Sequence, residues 1–202
     1  MKHRFLFLTL ALLPMLAHAE PAKETSKVRL KTSQGEIVIQ LNAEKAPITV
    51  KNFLSYVAKK HYDGTVFHRV INGFMIQGGG FAVEGKELVE KDTGKGIKNE
   101  SQNGLKNEVG TIAMARTNDP DSATAQFFIN VKDNAMLDFP SNNGYAVFGK
   151  VIEGMEVVNK IKATATGSSA LTMRHPVTGD KIEAPSTDVP EENVVIISAS
   201  AE

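Results

Sequence analysis

The segment Phe67-His68-Arg69-Val70-Ile71-Asn72-Gly73-Phe74-Met75-Ile76-Gln77-Gly78-Gly79-Gly80-Phe81 has an odd composition for strands that only fill a core. Val70, Ile71 and Ile76 are strand formers, yet Arg69 and Gln77 are interleaved with them. Successive strand side chains alternate between faces, so both polar groups must reach a sheet surface. Asn72-Gly73 is a turn signal. The glycines after Gln77 let the backbone bend, or let another group approach it closely. Arginine stays charged and holds its donors in a fixed fork, so the chemistry on offer is binding or charge stabilisation. Spacing alone leaves a blander reading open, in which Arg69 faces water and the glycines form a bulge.

Other chemistries find less support. Gly78 and Gly80 lack the third glycine of a dinucleotide fingerprint, and no long helix pattern follows them. Thr93-Gly94-Lys95-Gly96 lacks the Ser or Thr that a phosphate-binding loop carries after its lysine. The chain has no cysteine, which removes disulfides and cysteine-based zinc sites. His61, His68 and His175 are not paired at metal-ligand spacing, so no metal is expected. His68 stands next to Arg69 but, by strand alternation, on the opposite face. It reads as structural and not as a general base.

The elements that must carry these residues are mostly short strands. Val28–Thr32 and Glu36–Leu41 alternate around a Gln34-Gly35 turn and predict an antiparallel hairpin. Val50, Phe53, Leu54 and Val57 then recur at helical spacing, with Pro47 in the first turn and His61-Tyr62-Asp63-Gly64 as the stop. Strands are predicted at 65–71, 74–77, 110–115, 126–131, 146–151 and 194–199. Met155, Val158 and Ile161 suggest a second short helix. Residues 166–192, rich in Thr, Ser, Gly and Pro, read as a long irregular connection. About eight strands with two helices fit a barrel, although periodicity alone does not separate a barrel from a sandwich.

Residues 1–19 look like a targeting segment. Lys2 and Arg4 precede an apolar run, Phe5 to Leu16, and Ala17-His18-Ala19 offers small residues at a cleavage site. The run is short for a bilayer span, which needs about 20 residues. A cleaved signal peptide is therefore expected, with export and a mature start at Glu20. Residues 20–26 are polar and without period, and read as a disordered leader. Residues 27–202 suit one domain. Losing Lys2 and Arg4 from 23 basic residues leaves 21 against 23 acidic ones. Such balance supports neither nucleic-acid nor anionic-membrane binding. No exposed apolar helix pattern demands a partner, so a monomer is expected, without membrane attachment after cleavage.

Taken together, the blocks resemble the cyclophilins. Phe67-His68-Arg69-Val70-Ile71-x-Gly73-Phe74-Met75-Ile76-Gln77-Gly78-Gly79 looks like their signature. Gly110–Thr117, Ser122–Ile129, Leu137-Asp138, Tyr145–Val151 and Asp188-Val189-Pro190 agree, in family order, over nearly all of the chain after the signal. Ala115-Arg116-Thr117 and the export signal bring the match nearest to periplasmic cyclophilins of Gram-negative bacteria. The resemblance implies a mainly β fold: a closed eight-stranded antiparallel barrel capped by two α-helices. It implies a cofactor-free peptidyl-prolyl cis-trans isomerase acting on proline-containing unfolded or partly folded polypeptides, here in the periplasm.

The resemblance also implies roles. Arg69 matches the catalytic arginine. Phe74, Met75, Phe128 and Leu137 match the cup for the proline ring. Gln77 matches a residue that fixes Arg69 and substrate. Ala115 and Arg116 lie on the segment that pairs with substrate backbone, and Gln126 lines the adjoining wall. Rotation about a prolyl bond loses amide resonance against a barrier of about 18–20 kcal/mol. A guanidinium aimed at the pyramidal proline nitrogen stabilises the twisted state more than the planar one. No proton is transferred, which again leaves His68 without direct chemistry.

Two positions depart from the family pattern. Tyr145 stands where many relatives carry His, which bears on substrate preference. Met136 stands where well-known eukaryotic members carry Trp, whose indole donor helps bind cyclosporin; a thioether cannot donate. Residues 170–186 look longer than the family minimum and have no functional account. A proline-directed binding module and a carrier barrel for apolar ligands are the competing readings. Arg69 together with Phe128 argues against the first, and a small barrel filled by side chains against the second.

Overall fold

The computed structural model describes residues 27–175 and 178–202; the signal peptide and leader expected at 1–26 lie outside them. The strands are β1 Lys27–Thr32, β2 Gly35–Leu41, β3 Thr65–Ile71, β4 Met75–Glu84, β5 Glu87–Glu90 and β6 Thr111–Met114. They continue with β7 Phe127–Asn130, β8 Val147–Glu153, β9 Thr166–Arg174, β10 Lys181–Pro190 and β11 Ile196–Ala201. The helices are α1 Pro47–Ala58 and α2 Met155–Lys162, with short 3₁₀ turns at Ala135–Leu137 and Ser141–Asn143. Among the described residues no helix is long and apolar enough to cross a membrane.

The strands form one eleven-stranded sheet in the order β10-β9-β5-β4-β7-β6-β8-β2-β1-β11, with β3 on the other edge of β4. This corrects the expected closed eight-stranded barrel in two ways. The sheet does not close: β3 and β11 meet through an isolated Val66–Val195 bridge and two backbone bonds, Gly64 N–H to Ile196 O at 2.8 Å and Phe67 N–H to Val194 O at 2.9 Å. The chains run side by side only around residues 194–196, too few for a ladder. In addition, β5, β9 and β10 extend the sheet beyond β4.

β9 and β10 also correct the irregular connection expected over 166–192. They form an antiparallel hairpin, with a register shift between Ser186 and Val189, joined to β5 by parallel pairing of Leu88 with Leu171. Most of its side chains are exposed or half-buried, so sequence alternation carries little signal there. Leu171, Val189 and Pro190 are the exceptions; the first two pack with Val66, Phe81 and Leu88 against the outer surface of β3 and β4.

The main core lies between the sheet and both helices. α1 contributes Val50, Phe53, Tyr56 and Val57, and α2 contributes Val157, Val158 and Ile161. Phe53 touches the rings of Tyr62, Phe127 and Phe148 at 5.1–5.7 Å between centroids. Pro47 starts α1 and Ala46 offers no side-chain cap. Glu100 instead accepts from the Ile48 and Thr49 N–H groups at 3.1 and 2.8 Å, satisfying two free donors and matching the positive end of the helix.

Candidate active site

The site is built on the outer face of the sheet, where the strands turn a second apolar cluster away from the main core. Met75, Ala113, Phe128 and Val147, from β4, β6, β7 and β8, are its buried centre. The β3–β4 turn at Asn72-Gly73, with Gly73 at φ +78°, places Phe74 at its edge. Register then decides what stands together: Arg69 pairs with Gln77 across β3–β4, and Gln77 with Phe128 across β4–β7. Residues far apart in sequence thus meet on adjacent strands.

A cavity of about 130 Å³ opens there, lined by Arg69, Phe74, Met75, Gln77, Ala115, Arg116, Phe128, Leu137 and Tyr145. All nine are residues that the sequence singles out. Its floor is apolar, and one rim carries a guanidinium and an amide side by side. Phe128 and Tyr145 meet edge-on, 5.8 Å between centroids. The Arg116 guanidinium lies over Tyr145 at 4.4 Å and donates to the carbonyls of Gly144, Asn142 and Thr117. That side chain braces the 142–145 loop, and the Ala115 N–H is already held by Gln126 O at 3.0 Å.

The two remaining candidates lie outside the cavity lining. Gln126 sits behind the wall and accepts from Gln77 Nε2 through Oε1 at 2.9 Å. Met136, on the 3₁₀ turn, is 69% exposed and projects at the edge.

The glycines after Gln77 each make room for something different. A Cβ on Gly78 would come within 3.0 Å of the Phe67 ring, and one on Gly79, at φ +84°, within 2.8–2.9 Å of Tyr62 and Phe127. On Gly80 it would lie 2.5 Å from Gln126 Cδ. Only Gly80 therefore clears space for a residue of the site.

His68 requires a correction. The register slips between Phe67 and Arg69, because Phe67 opposes Gly78 while Arg69 opposes the next residue, Gln77. One extra residue on β3 breaks the alternation. Phe67 and Val70 both face the main core, whereas His68 turns outward beside Arg69, its ring 4.6 Å from Phe81. Burial, with a smaller contribution from the Arg69 charge, lowers its pKa to about 4. It is therefore a neutral imidazole at pH 7.

An asparagine network missed by sequence reasoning supports the cavity wall. Asn134 Nδ2 donates to Phe74 O and to Asn130 Oδ1, both at 2.8 Å; Asn130 Nδ2 donates to Asn107 Oδ1 and Thr111 Oγ1 at 3.1 and 2.9 Å. The Leu137 N–H donates to Asn134 O, and the Tyr145 N–H to Leu137 O, each at 2.8 Å. Phe74, Leu137 and Tyr145 thus hang on one buried frame. The one available signal was Asn130, a polar residue closing the apolar run Phe127-Phe128-Ile129. Among the described residues no three His, Asp or Glu side chains gather as a metal set.

Comparison with known proteins agrees with this geometry. Residues 27–200 match the family model described as cyclophilin type peptidyl-prolyl cis-trans isomerase/CLD. Peptidyl-prolyl cis-trans isomerase B of Escherichia coli is 51% identical over 177 residues, covering 86% of this chain and 98% of its own. Peptidyl-prolyl cis-trans isomerase cyp18 of Streptomyces antibioticus is 60% identical over 148 residues, 71% of this chain and 87% of its own. A Cryptosporidium parvum cyclophilin-type isomerase, solved in the presence of the dipeptide Ala-Pro, superposes with a TM-score of 0.65 at 26% identity, covering 87% of this chain and 98% of that one. The chain belongs to the cyclophilin-type peptidyl-prolyl cis-trans isomerases.

Proposed function

We propose that this cleft catalyses rotation about X-Pro bonds in exported polypeptides, with Arg69 as the catalytic group. The observation that carries the reading is the pairing of Arg69 with Gln77 above an apolar cup floored by Phe128. The proline ring seats against Phe74, Met75, Phe128 and Leu137, which have no partner for a planar amide to compete with. The guanidinium then meets a lone pair that exists on the proline nitrogen only once the bond has twisted. An interaction present only in the transition state lowers the barrier and leaves ground-state binding alone. Tyr145, fixed by Arg116, closes the wall, and exposed Met136 offers apolar surface to residues flanking the proline. The Ala-Pro dipeptide used with the Cryptosporidium relative is a fragment of the same substrate class. Export rests on the Lys2, Arg4 and Phe5–Leu16 pattern, and the client class follows from that location.

Arg69→Ala tests the reading in a protease-coupled assay on a short X-Pro peptide. kcat/KM should fall at least about a hundredfold, roughly 2.7 kcal/mol of transition-state stabilisation. A folded variant that keeps wild-type turnover refutes the role of Arg69.

A further inference from the structure

A second hollow, of about 410 Å³, lies beyond the cleft along β4, and the reaction does not use it. Lys59, Lys60, Lys91 and Lys95 line it, with Asp92 as the only carboxylate among its lining residues. Asp92 is already engaged by Arg174, Nε to Oδ1 at 2.6 Å. Lys91 is spent as well, its Nζ donating to the carbonyls of His61 and Asp63. Lys59, Lys60 and Lys95 are exposed, and among the described residues none of the three has an ion-pair partner. The end of α1 does not consume them, because Ser55 O, Val57 O and Tyr56 O accept from the backbone N–H groups of Lys59, Lys60 and His61. Lys95 comes from a separate loop, held against the helix by the Gly94 N–H, which donates to Tyr56 Oη at 3.0 Å. The positive field reaches into the wall: burial lowers the pKa of His61, and the charges of Lys91 and Lys59 lower it further. A chain with 23 basic and 23 acidic residues has thus gathered three uncancelled ammonium groups in one place.

We infer that this hollow is a docking site for acidic segments of the polypeptide whose proline occupies the cleft, with Lys59, Lys60 and Lys95 as its contacts. Its position supports the reading. Gln77, in the cleft, is followed on β4 by Gly79, whose carbonyl meets His61 Nε2 at 3.2 Å, and by Gly80, whose carbonyl accepts from the Lys91 N–H at 2.9 Å. At about 3.3 Å per strand residue, the near wall of the hollow begins about 10 Å from Gln77. An extended client chain covers that distance with about three residues and reaches the lysines with about five or six. Ammonium groups on flexible stems suit a partner of variable sequence, because they attract a carboxylate without imposing one geometry. Exposed pairs are individually weak and fall off with salt, so the effect lies in the three together. A proline seated in the cleft holds the acidic segment at high local concentration, which is what lets weak pairs count.

This inference rests on the proposed isomerase cleft, and the experiment separates the two. Peptides sharing one X-Pro core carry three Glu, three Gln or three Lys about five or six residues before the proline, or the same distance after it. Turnover is read by NMR exchange, which needs no coupling protease. At low salt, in at least one placement, KM for the Glu peptide should lie about tenfold below that for the Gln peptide, with kcat within twofold. The Lys peptide should have the highest KM, and the ranking should collapse in about 0.5 M salt. Replacing Lys59, Lys60 and Lys95 together by Gln should erase the preference while the Gln peptide is turned over as by wild type. Equal KM for Glu and Gln peptides in both placements, or a preference that survives the triple replacement, overturns the docking site. Salt-sensitive binding to phosphatidylglycerol vesicles, lost in the triple variant and without any peptide preference, assigns the lysines to lipid and overturns it too. Arg69→Ala on the Gln peptide reads the underlying proposal: full turnover there sinks the cleft assignment, whereas a disabled Arg69→Ala beside a wild type without Glu preference sinks only the docking site. If the triple variant does not fold, the ranking of the three peptides on the wild type, and its loss in salt, decides.

Discussion

Replacing Asn134 by alanine should damage both the fold and the cavity wall, by amounts that follow from its bonds. The side chain is 2% exposed and gives both Nδ2 protons away, to Phe74 O and to Asn130 Oδ1. Alanine keeps the backbone bonds to Asn107 and Leu137 but loses these two. Phe74 O retains the Val131 N–H at 3.1 Å, so this loss is one ordinary bond, about 1 kcal/mol. Asn130 is fully buried, so its Oδ1 is left bare, at about 1–3 kcal/mol. The total is about 2–4 kcal/mol, read as a lower urea midpoint at unchanged slope. Phe74 loses its side-chain link to the segment that carries Leu137, so KM for an X-Pro peptide should rise several-fold while kcat changes less. Asn134→Asp should be worse, since it sets a carboxylate against Asn130 Oδ1 and supplies no donor. An Asn134→Ala protein within about 0.5 kcal/mol of wild type, with unaltered KM, would refute the idea that this frame holds the wall.

Acid should destabilise the fold through His68, whose folded pKa of about 4 lies below the unfolded value of 6.5. Between those values the unfolded chain binds the extra proton, so stability is complete above pH 6.5 and about 3 kcal/mol is lost as pH falls through 4. His68→Gln should flatten that limb of a urea-midpoint against pH curve; an unchanged slope would assign it elsewhere. Met136→Trp should tighten cyclosporin inhibition by roughly ten- to a hundredfold, from one added donor to a buried carbonyl, with kcat/KM within a few fold. Equal inhibition constants would disconnect position 136 from that ligand. Protein recovered from a periplasmic extract should begin at Glu20, and an intact membrane-bound Met1 form would favour an uncleaved anchor.

The parts legible in the sequence are those whose signal is local. β3 falls at Thr65–Ile71 as expected, because its apolar run is bounded by Gly64 and Asn72-Gly73. α1 and α2 begin at Pro47 and Met155, where the apolar period changes. The nine cavity residues were readable because they sit in ordered family blocks. What escaped depends on contacts made late in the chain. A bulge is a matter of register between two strands, so nothing in Phe67-His68-Arg69 reveals that His68 shares the face of Arg69. The cap of α1 comes from Glu100, far along the chain, and the frame under Phe74 from Asn107 and Asn134, which look like loop residues, together with Asn130 at the end of β7. β9 and β10 hid behind Thr, Ser and Pro because water, not a core, faces most of their side chains. The open seam between β3 and β11 was equally invisible, since pairing there ends for want of overlapping residues.

Gly78, Gly79 and Gly80 look interchangeable on the page, yet the chain can afford different accidents at each. A methyl on Gly78 or Gly79 strikes Phe67, Tyr62 or Phe127, so selection acting on folding alone would purge it. A methyl on Gly80 meets the Gln126 side chain at Cγ, Cδ and Nε2, 2.5–2.7 Å away, and that side chain can swing aside; on the proposed role of Gln126, the protein would still fold and persist while its turnover changed. Within three consecutive residues the sequence passes from positions guarded by the need to exist to one guarded by the need to work. Variation among working relatives should therefore be tightest at the first two, and at the third should track replacements at 126.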